Sequence, residues 1–214
     1  MPWSASGSTW RAGAVTLVVL VAGLVLFGMG EGALIAAKLG NTPWTVLAQG
    51  VARRTPLDIG EVTIAISVLV LLGWIPLRQI PGLGTVANVV LIGLSLDVAS
   101  RIAPQPHAAE WRALQVAFGI VAIGLGSALY LTANLGPGPR DGWMTGLHRV
   151  TGLGIATVRT SIEVTVLVLG IALGGHAGVA TLAFAVLVGY VLAAIFRLFS
   201  AIFRPVPEPL AVPT

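Results

Sequence analysis

GLVLFGMGEGALIAAKLGNTPWTVLAQG (residues 23–50) and GIVAIGLGSALYLTANLGPGPRDGWMTG (residues 119–146) decide the fold, because the first lies on the second at an offset of 96 residues without a gap. Gly23, Gly28, Gly30, Gly40 and Gly50 fall on Gly119, Gly124, Gly126, Gly136 and Gly146, and Pro43 falls on Pro139. Beyond the two stretches the same offset joins Gly82 to Gly178, Gly93 to Gly189, Thr55 to Thr151 and Thr85 to Thr181. Residues 15–100 hold 11 glycines and residues 111–196 hold 14, with seven matched. Chance predicts roughly 2 such matches. The chain reads as a duplication, with a period too long for a solenoid and suited to a membrane protein of two homologous halves.

Composition points the same way. Hydrophobic residues make up 56% of the 214 and charged residues 9%, with a mean hydropathy of +0.95, whereas a soluble domain carries about 25% charge. Six stretches are long enough for a bilayer crossing, which takes about 20 helical residues: 12–37, 60–78, 83–101, 111–134, 156–174 and 178–200. They lack the period-two alternation of a barrel. The expected fold is all-α: a polytopic membrane bundle of six transmembrane helices in two three-helix repeats. An odd number of spans per half turns the second half over, so the repeats are expected to be inverted. The expected divisions are an N-terminal segment 1–11, a first repeat 12–104, a second repeat 105–203 and a proline-rich tail 204–214.

Arg11 before an apolar run invites comparison with a signal peptide. The run outlasts an h-region of about 7–15 residues, and its glycines recur in the fourth span, so it reads as part of the mature fold. No cysteine is present, which excludes disulfides and thiolate metal sites. His107, His148 and His176 lack zinc spacing, and no cofactor is expected. The net charge of +4 is scattered, unlike a nucleic-acid-binding face. Arg11, Arg78, Arg140, Arg149, Arg159, Arg197 and Arg204 fall on the side of the termini, against Lys38, Arg53, Arg54, Arg101 and Arg112 opposite. That excess favours cytoplasmic termini.

Between the first and second spans of each half lies an apolar segment too short to cross. Pro43 follows Gly40-Asn41-Thr42, and Pro139 follows Gly136-Pro137-Gly138. Proline behind a turn and a polar cap starts a helix, so each segment reads as a half-helix, either re-entrant with its N-terminus aimed at an anionic group or lying in the interface. Gly28, Gly30, Gly124 and Gly126 read as sites of close helix approach in lipid.

Charges inside apolar spans point to a site, since a central charge costs at least about 2.5 kcal/mol. Glu31 lies late in the first span and matches Ser127; Arg159 and Glu163 sit four apart and can pair; Arg140 and Asp141 open the second half-helix where the first has Trp44 and Thr45. Asp97, four before Arg101, reads as an interfacial pair. The expected substrate-binding set is Asn41, Trp44, Arg140, Asp141, Arg159, Glu163 and Glu31. No nucleophile triad or paired-carboxylate motif suggests an enzyme.

Leu39-Gly40-Asn41-Thr42-Pro43-Trp44, Ile75-Pro76-Leu77, Pro81-Gly82-Leu83-Gly84-Thr85 with Asn88 and Asp97, Leu135-Gly136-Pro137-Gly138-Pro139-Arg140-Asp141-Gly142, and Val158-Arg159 with Glu163 resemble the bacterial YczE-like membrane proteins, related to the wider YitT group. The resemblance implies an integral protein of the bacterial plasma membrane, guessed to be a transporter, with some members linked to secondary-metabolite production. It supplies neither substrate nor catalytic residues.

Two functions follow, since a third, an intramembrane enzyme acting on a lipid, needs a nucleophile or metal cluster that the sequence does not offer. One is a transporter alternating access between inverted halves for a small anionic or zwitterionic solute, with Glu31 or Glu163 able to carry a coupling proton. The other is a non-catalytic accessory protein of a membrane pathway. The bilayer is the one certain partner; protein partners and oligomeric state stay open.

Overall fold

The computed structural model describes residues 1–203, and among them every regular element is helical. The helices are α1 (Ala14–Ala37), α2 (Pro43–Ala52), α3 (Ile59–Leu72), α4 (Trp74–Leu77), α5 (Leu83–Ile102), α6 (Ala109–Ala133), α7 (Pro139–Thr151), α8 (Ile155–Ala172) and α9 (Val179–Ile202). The expected tail 204–214, with Arg204, lies outside the described residues.

Five helices, α1, α5, α6, α8 and α9, are long and apolar enough to cross a bilayer. The expected span 60–78 is instead divided into α3 and α4 at Gly73. Pro76 is the cause: it has no N–H for the Leu72 carbonyl, and its ring crowds that oxygen. The 14 residues of α3 rise about 21 Å, less than a hydrocarbon core of roughly 30 Å. Both expected half-helices are present as α2 and α7, each with proline at its first position.

At the centre α1 crosses α6 backbone to backbone. A methyl group on Gly30 would stand 2.7 Å from the Gly119 carbonyl oxygen, and one on Gly126 would stand 2.5 Å from that of Gly23. The pairing of Gly23 with Gly126 becomes that of Gly119 with Gly30 under the 96-residue offset. Leu20, Leu24, Leu34, Ile123 and Leu135 fill the space around this crossing and are all but inaccessible.

Other contacts repeat crosswise in the same manner. The Leu39 carbonyl accepts from Ala180 N–H at 2.9 Å, and the Leu135 carbonyl accepts from Gly84 N–H at 2.7 Å. The turns that present these carbonyls match: Lys38 and Gly40 have φ of 55° and 113°, Asn134 and Gly136 have 58° and 103°. Thr85 and Thr181 each accept from the N–H of the glycine three residues before, at 3.1 Å. Half-helix α2 packs on α8 and α7 on α3; Arg53 closes on the Gly174 carbonyl and its counterpart Arg149 on that of Leu77.

Lys38 holds the left-handed conformation that Asn134 adopts more readily, at a cost of about 1–2 kcal/mol. Arg112 compensates by donating to the carbonyls of Ala37 and Lys38, each at 2.7 Å. Arg112→Ala is expected to lower stability by about 1.5–3 kcal/mol, the worth of hydrogen bonds to a charged group. The midpoint of an SDS unfolding titration checks this; an unchanged midpoint would mean the carbonyls are served by water.

The halves differ in one seam. In the first, the N-terminal end of α3 meets α5: a methyl group on Gly93 would stand 2.6 Å from Ile64 Cγ1 and 2.7 Å from the Gly60 carbonyl oxygen, and Gly60 N–H donates to Asp97 Oδ1 at 2.7 Å. Asp97 therefore does not pair with Arg101 as expected; Arg101 pairs with Asp58. In the second half the corresponding Ala156 and Thr160 of α8 are exposed, and a methyl group on Gly189 would meet nothing within 4 Å. The helices α8 and α9 stand apart there.

Candidate functional site

Glu31 is 1% exposed, held beside the α1–α6 crossing by glycines on both sides. Its carboxylate lies at the start of α2, where Thr42 is the N-cap and accepts from Thr45 N–H at 3.4 Å. The Thr42 hydroxyl is 3.1 Å from both Glu31 oxygens, and the Thr45 hydroxyl also bonds Glu31. The partial positive charge of the α2 N-terminus adds to this stabilisation. The half-helix thus aims at an anion that belongs to the protein itself.

Helix α7 starts differently. Its N-cap is Gly138, which has no side chain, and the acidic residue of its first turn is Asp141, whose Oδ2 would stand 2.9 Å from a methyl group on Gly138. Tyr130 of α6 donates its hydroxyl to Asp141 Oδ2. Arg140 crosses toward the first half and lies over the Trp44 ring, its Cζ 4.9 Å from the centroid, a cation–π contact worth about 2 kcal/mol when desolvated. Among the described residues Arg140 has no ion-pair partner and makes no side-chain hydrogen bond, although it is near enough to Glu31, Asp141 and Glu163 to feel their charge. On α8, Arg159 Nε donates to Glu163 Oε1 at 2.9 Å, with side chains 42% and 22% exposed.

These groups surround one cavity of about 110 Å³. Glu31, Trp44, Arg140, Asp141, Arg159 and Glu163 line it, together with Thr42, Asn88, Ser127, Tyr130 and Met144, and with Phe184, Val188 and Gly189 of α9. Asn41 does not line it, contrary to expectation. Its side chain turns to the α8–α9 connection, donating to Gln49 Oε1 at 3.2 Å and to the His176 carbonyl at 3.4 Å; Gln49 also accepts from His176 N–H at 2.7 Å. Asn41 is part of a clasp between the halves. Thr42, Asn88 and Tyr130 were absent from the expected set. A lone asparagine within the apolar third span was the available signal for Asn88.

Apolar helices enclosing a polar centre define a multi-pass integral membrane protein. Residues 14–197 match the family of unknown function DUF6198, and the chain belongs to it. It is 43% identical over 189 residues to an uncharacterized protein of Haemophilus influenzae, covering 88% of this chain and 86% of that one. It is 33% identical over 174 residues to the uncharacterized membrane protein YczE of Bacillus subtilis, covering 80% of each, which agrees with the YczE-like resemblance. A second Bacillus subtilis protein, YyaS, is 26% identical over 164 residues, covering 75% of this chain and 82% of that one. No solved structure matches.

Proposed function

We propose that the protein is a small-solute transporter of the bacterial plasma membrane, working by alternating access between two inverted halves, residues 12–104 and 105–203, with both termini cytoplasmic. One observation carries the reading: a polar cavity lies between matched halves, with one seam shut and its counterpart open. The shut seam joins the start of α3 to the distal half of α5 through Gly60, Gly93 and Asp97. Its counterpart at Ala156 and Gly189 is unmade.

With the halves inverted, these seams face opposite sides of the membrane. The α3–α5 seam closes the cavity on the side of the α1 C-terminus, and the α8–α9 gap leaves it accessible from the side of the chain termini. The partial exposure of Arg159 and Glu163 agrees with that access. Exchanging the two conformations would present the cavity to the other side, which is alternating access by gating of one repeat against the other. The cavity's arginines suit an anionic or zwitterionic solute. Its small volume excludes bulky ones in this state, since a 150 Å³ cavity holds about one benzene.

Uptake into proteoliposomes tests the proposal, with a panel of small carboxylates, phosphates and amino acids. Parent protein is expected to move at least one of them, with Arg140→Ala and Glu163→Gln slowed by about 10- to 100-fold, the effect of losing hydrogen bonds to a charged group. Should the parent move none, or both variants match it, the transporter reading fails and an accessory role in a membrane pathway takes its place.

A further inference from the structure

We infer that Glu31, Thr42 and Thr45 form a proton-binding site, and that the proton held there moves with the solute. The site stands on its own geometry; the coupling rests on the transport reading above.

Three carboxylates line the cavity, and Glu31 is served differently from the other two. Glu163 is paired with Arg159 at 2.9 Å. Asp141 lies in the first turn of α7, where the helix end favours its charge, and Tyr130 donates to it. Glu31 is 1% exposed and has no ion-pair partner among the described residues. Its contacts are the Thr42 and Thr45 hydroxyls, which can accept a hydrogen bond as well as donate one. The Thr42 hydroxyl lies 3.1 Å from Glu31 Oε1 and 3.1 Å from the Thr45 hydroxyl, which in turn bonds Glu31 Oε2. These three contacts close a ring. With Glu31 ionised only the two hydroxyl hydrogens are present, and one contact is left without a hydrogen. A proton on Oε2 supplies the third: Glu31 donates to Thr45, Thr45 to Thr42, and Thr42 to Oε1. Thr42 then accepts from the Thr45 hydroxyl and from Thr45 N–H, the latter at 3.4 Å, which fills its two acceptor positions. The ionised form is served by both hydroxyls and by the start of α2, so the site accommodates both states.

Charge around the cavity points the same way. Arg140 and Asp141 face it from α7, Arg159 and Glu163 from α8 and Tyr130 from α6, while α5 and α9 contribute no charged group. Two arginines against three carboxylates leave one formal negative charge over. One proton removes it, in a region where charge is poorly screened by water. An anionic group of the solute is opposed by that surplus and admitted once the proton is aboard, so the two enter together. Loading takes a proton from water on the open side, release returns it to water on the other, and no other bond changes.

Infrared difference spectra of the full chain in nanodiscs test the site apart from transport, since a protonated carboxyl has a carbonyl band that the ionised form lacks. Such a band is expected to rise and fall reversibly between about pH 5 and pH 9, the range open to a buried carboxyl. It should be absent from Glu31→Gln and displaced in wavenumber in Thr45→Val, which keeps the carboxyl but opens the ring. No titrating band that distinguishes the parent from Glu31→Gln, or an undisplaced band in Thr45→Val, would overturn the site. Proteoliposomes test the coupling. With the acid side outside, the parent is expected to accumulate solute by about tenfold per pH unit, the yield of one proton per solute. Glu31→Gln, at whatever rate it moves solute, should not respond to the gradient. Parent uptake indifferent to the gradient would overturn the coupling, and the band without any uptake would keep the proton site and discard the transporter.

Discussion

Gly30→Leu and Gly126→Leu are each expected to leave almost no folded protein in membranes. At both positions the added side chain meets backbone: the carbonyl of Gly119 for Gly30, the carbonyl of Gly23 and the amide of Phe27 for Gly126. Side chains in an overfilled core can rotate away at a cost of about 1–3 kcal/mol; a helix backbone cannot. The only relief is to part α1 from α6, which would strip burial from Leu34, Ile123 and their neighbours and separate the groups around Glu31. Gly124→Leu serves as a graded comparison, because its first obstacle is the Val191 side chain at 2.6 Å, on a helix less tightly held. Gly189→Leu meets nothing within 4 Å and should fold normally. The recovery of monodisperse protein after detergent extraction measures all four. Equal recovery would show that the α1–α6 crossing is not the structural centre.

If the protein transports as proposed, joining Ala156 to Gly189 should stop uptake altogether. The chain contains no cysteine, so Ala156→Cys with Gly189→Cys places a single pair in a clean background. A disulfide needs Cα atoms about 4.4–6.8 Å apart, and the open gap between α8 and α9 does not offer a packed contact there. The bond should therefore form under oxidation only as the gap closes, and form faster in the presence of a transported solute. Uptake should then fall to background and return on addition of a reductant, while each single variant works normally. Ile64→Cys with Gly93→Cys, across the seam already shut, should cross-link without solute and stop uptake as well. Full cross-linking of either pair with transport unimpaired would show that the seams are not gates.

The helices were largely legible because apolar length and the duplicated glycines report them directly. Pro43 and Pro139 marked the half-helices through local chemistry alone. The break in the second expected span was less visible. Pro76 carries the signal, but the apolar run continues across it, and the contacts that hold α3 and α4 in place come from a distant segment: Trp74 Nε1 donates to the Pro139 carbonyl at 2.9 Å, and Trp143 Nε1 to that of Val70 at 2.6 Å. Six of the seven expected site residues line the cavity because charge in an apolar span is expensive wherever it lies, so its presence is informative before any fold is known. Asn41 misled because a neutral amide is cheap enough to serve as a clasp. Asn88, Thr42 and Tyr130 belong to the same inexpensive class, and only the crossing of α1, α5, α6 and α7 reveals which of them face the cavity.

In a pair of identical chains every substitution appears twice, so a carboxylate facing the axis from one copy must be met by the same carboxylate from the other. Here Glu31 has Ser127 as its counterpart, and Arg140 has Trp44. Joining two halves in one chain frees each copy to change alone, and the charges around the central chamber are no longer duplicated: Glu31 comes from the first copy, Arg140 and Asp141 from the second. On the proposal of inverted halves, a solute in the chamber would meet unlike side chains from the two copies, and the protein would not serve equally well if inserted upside down.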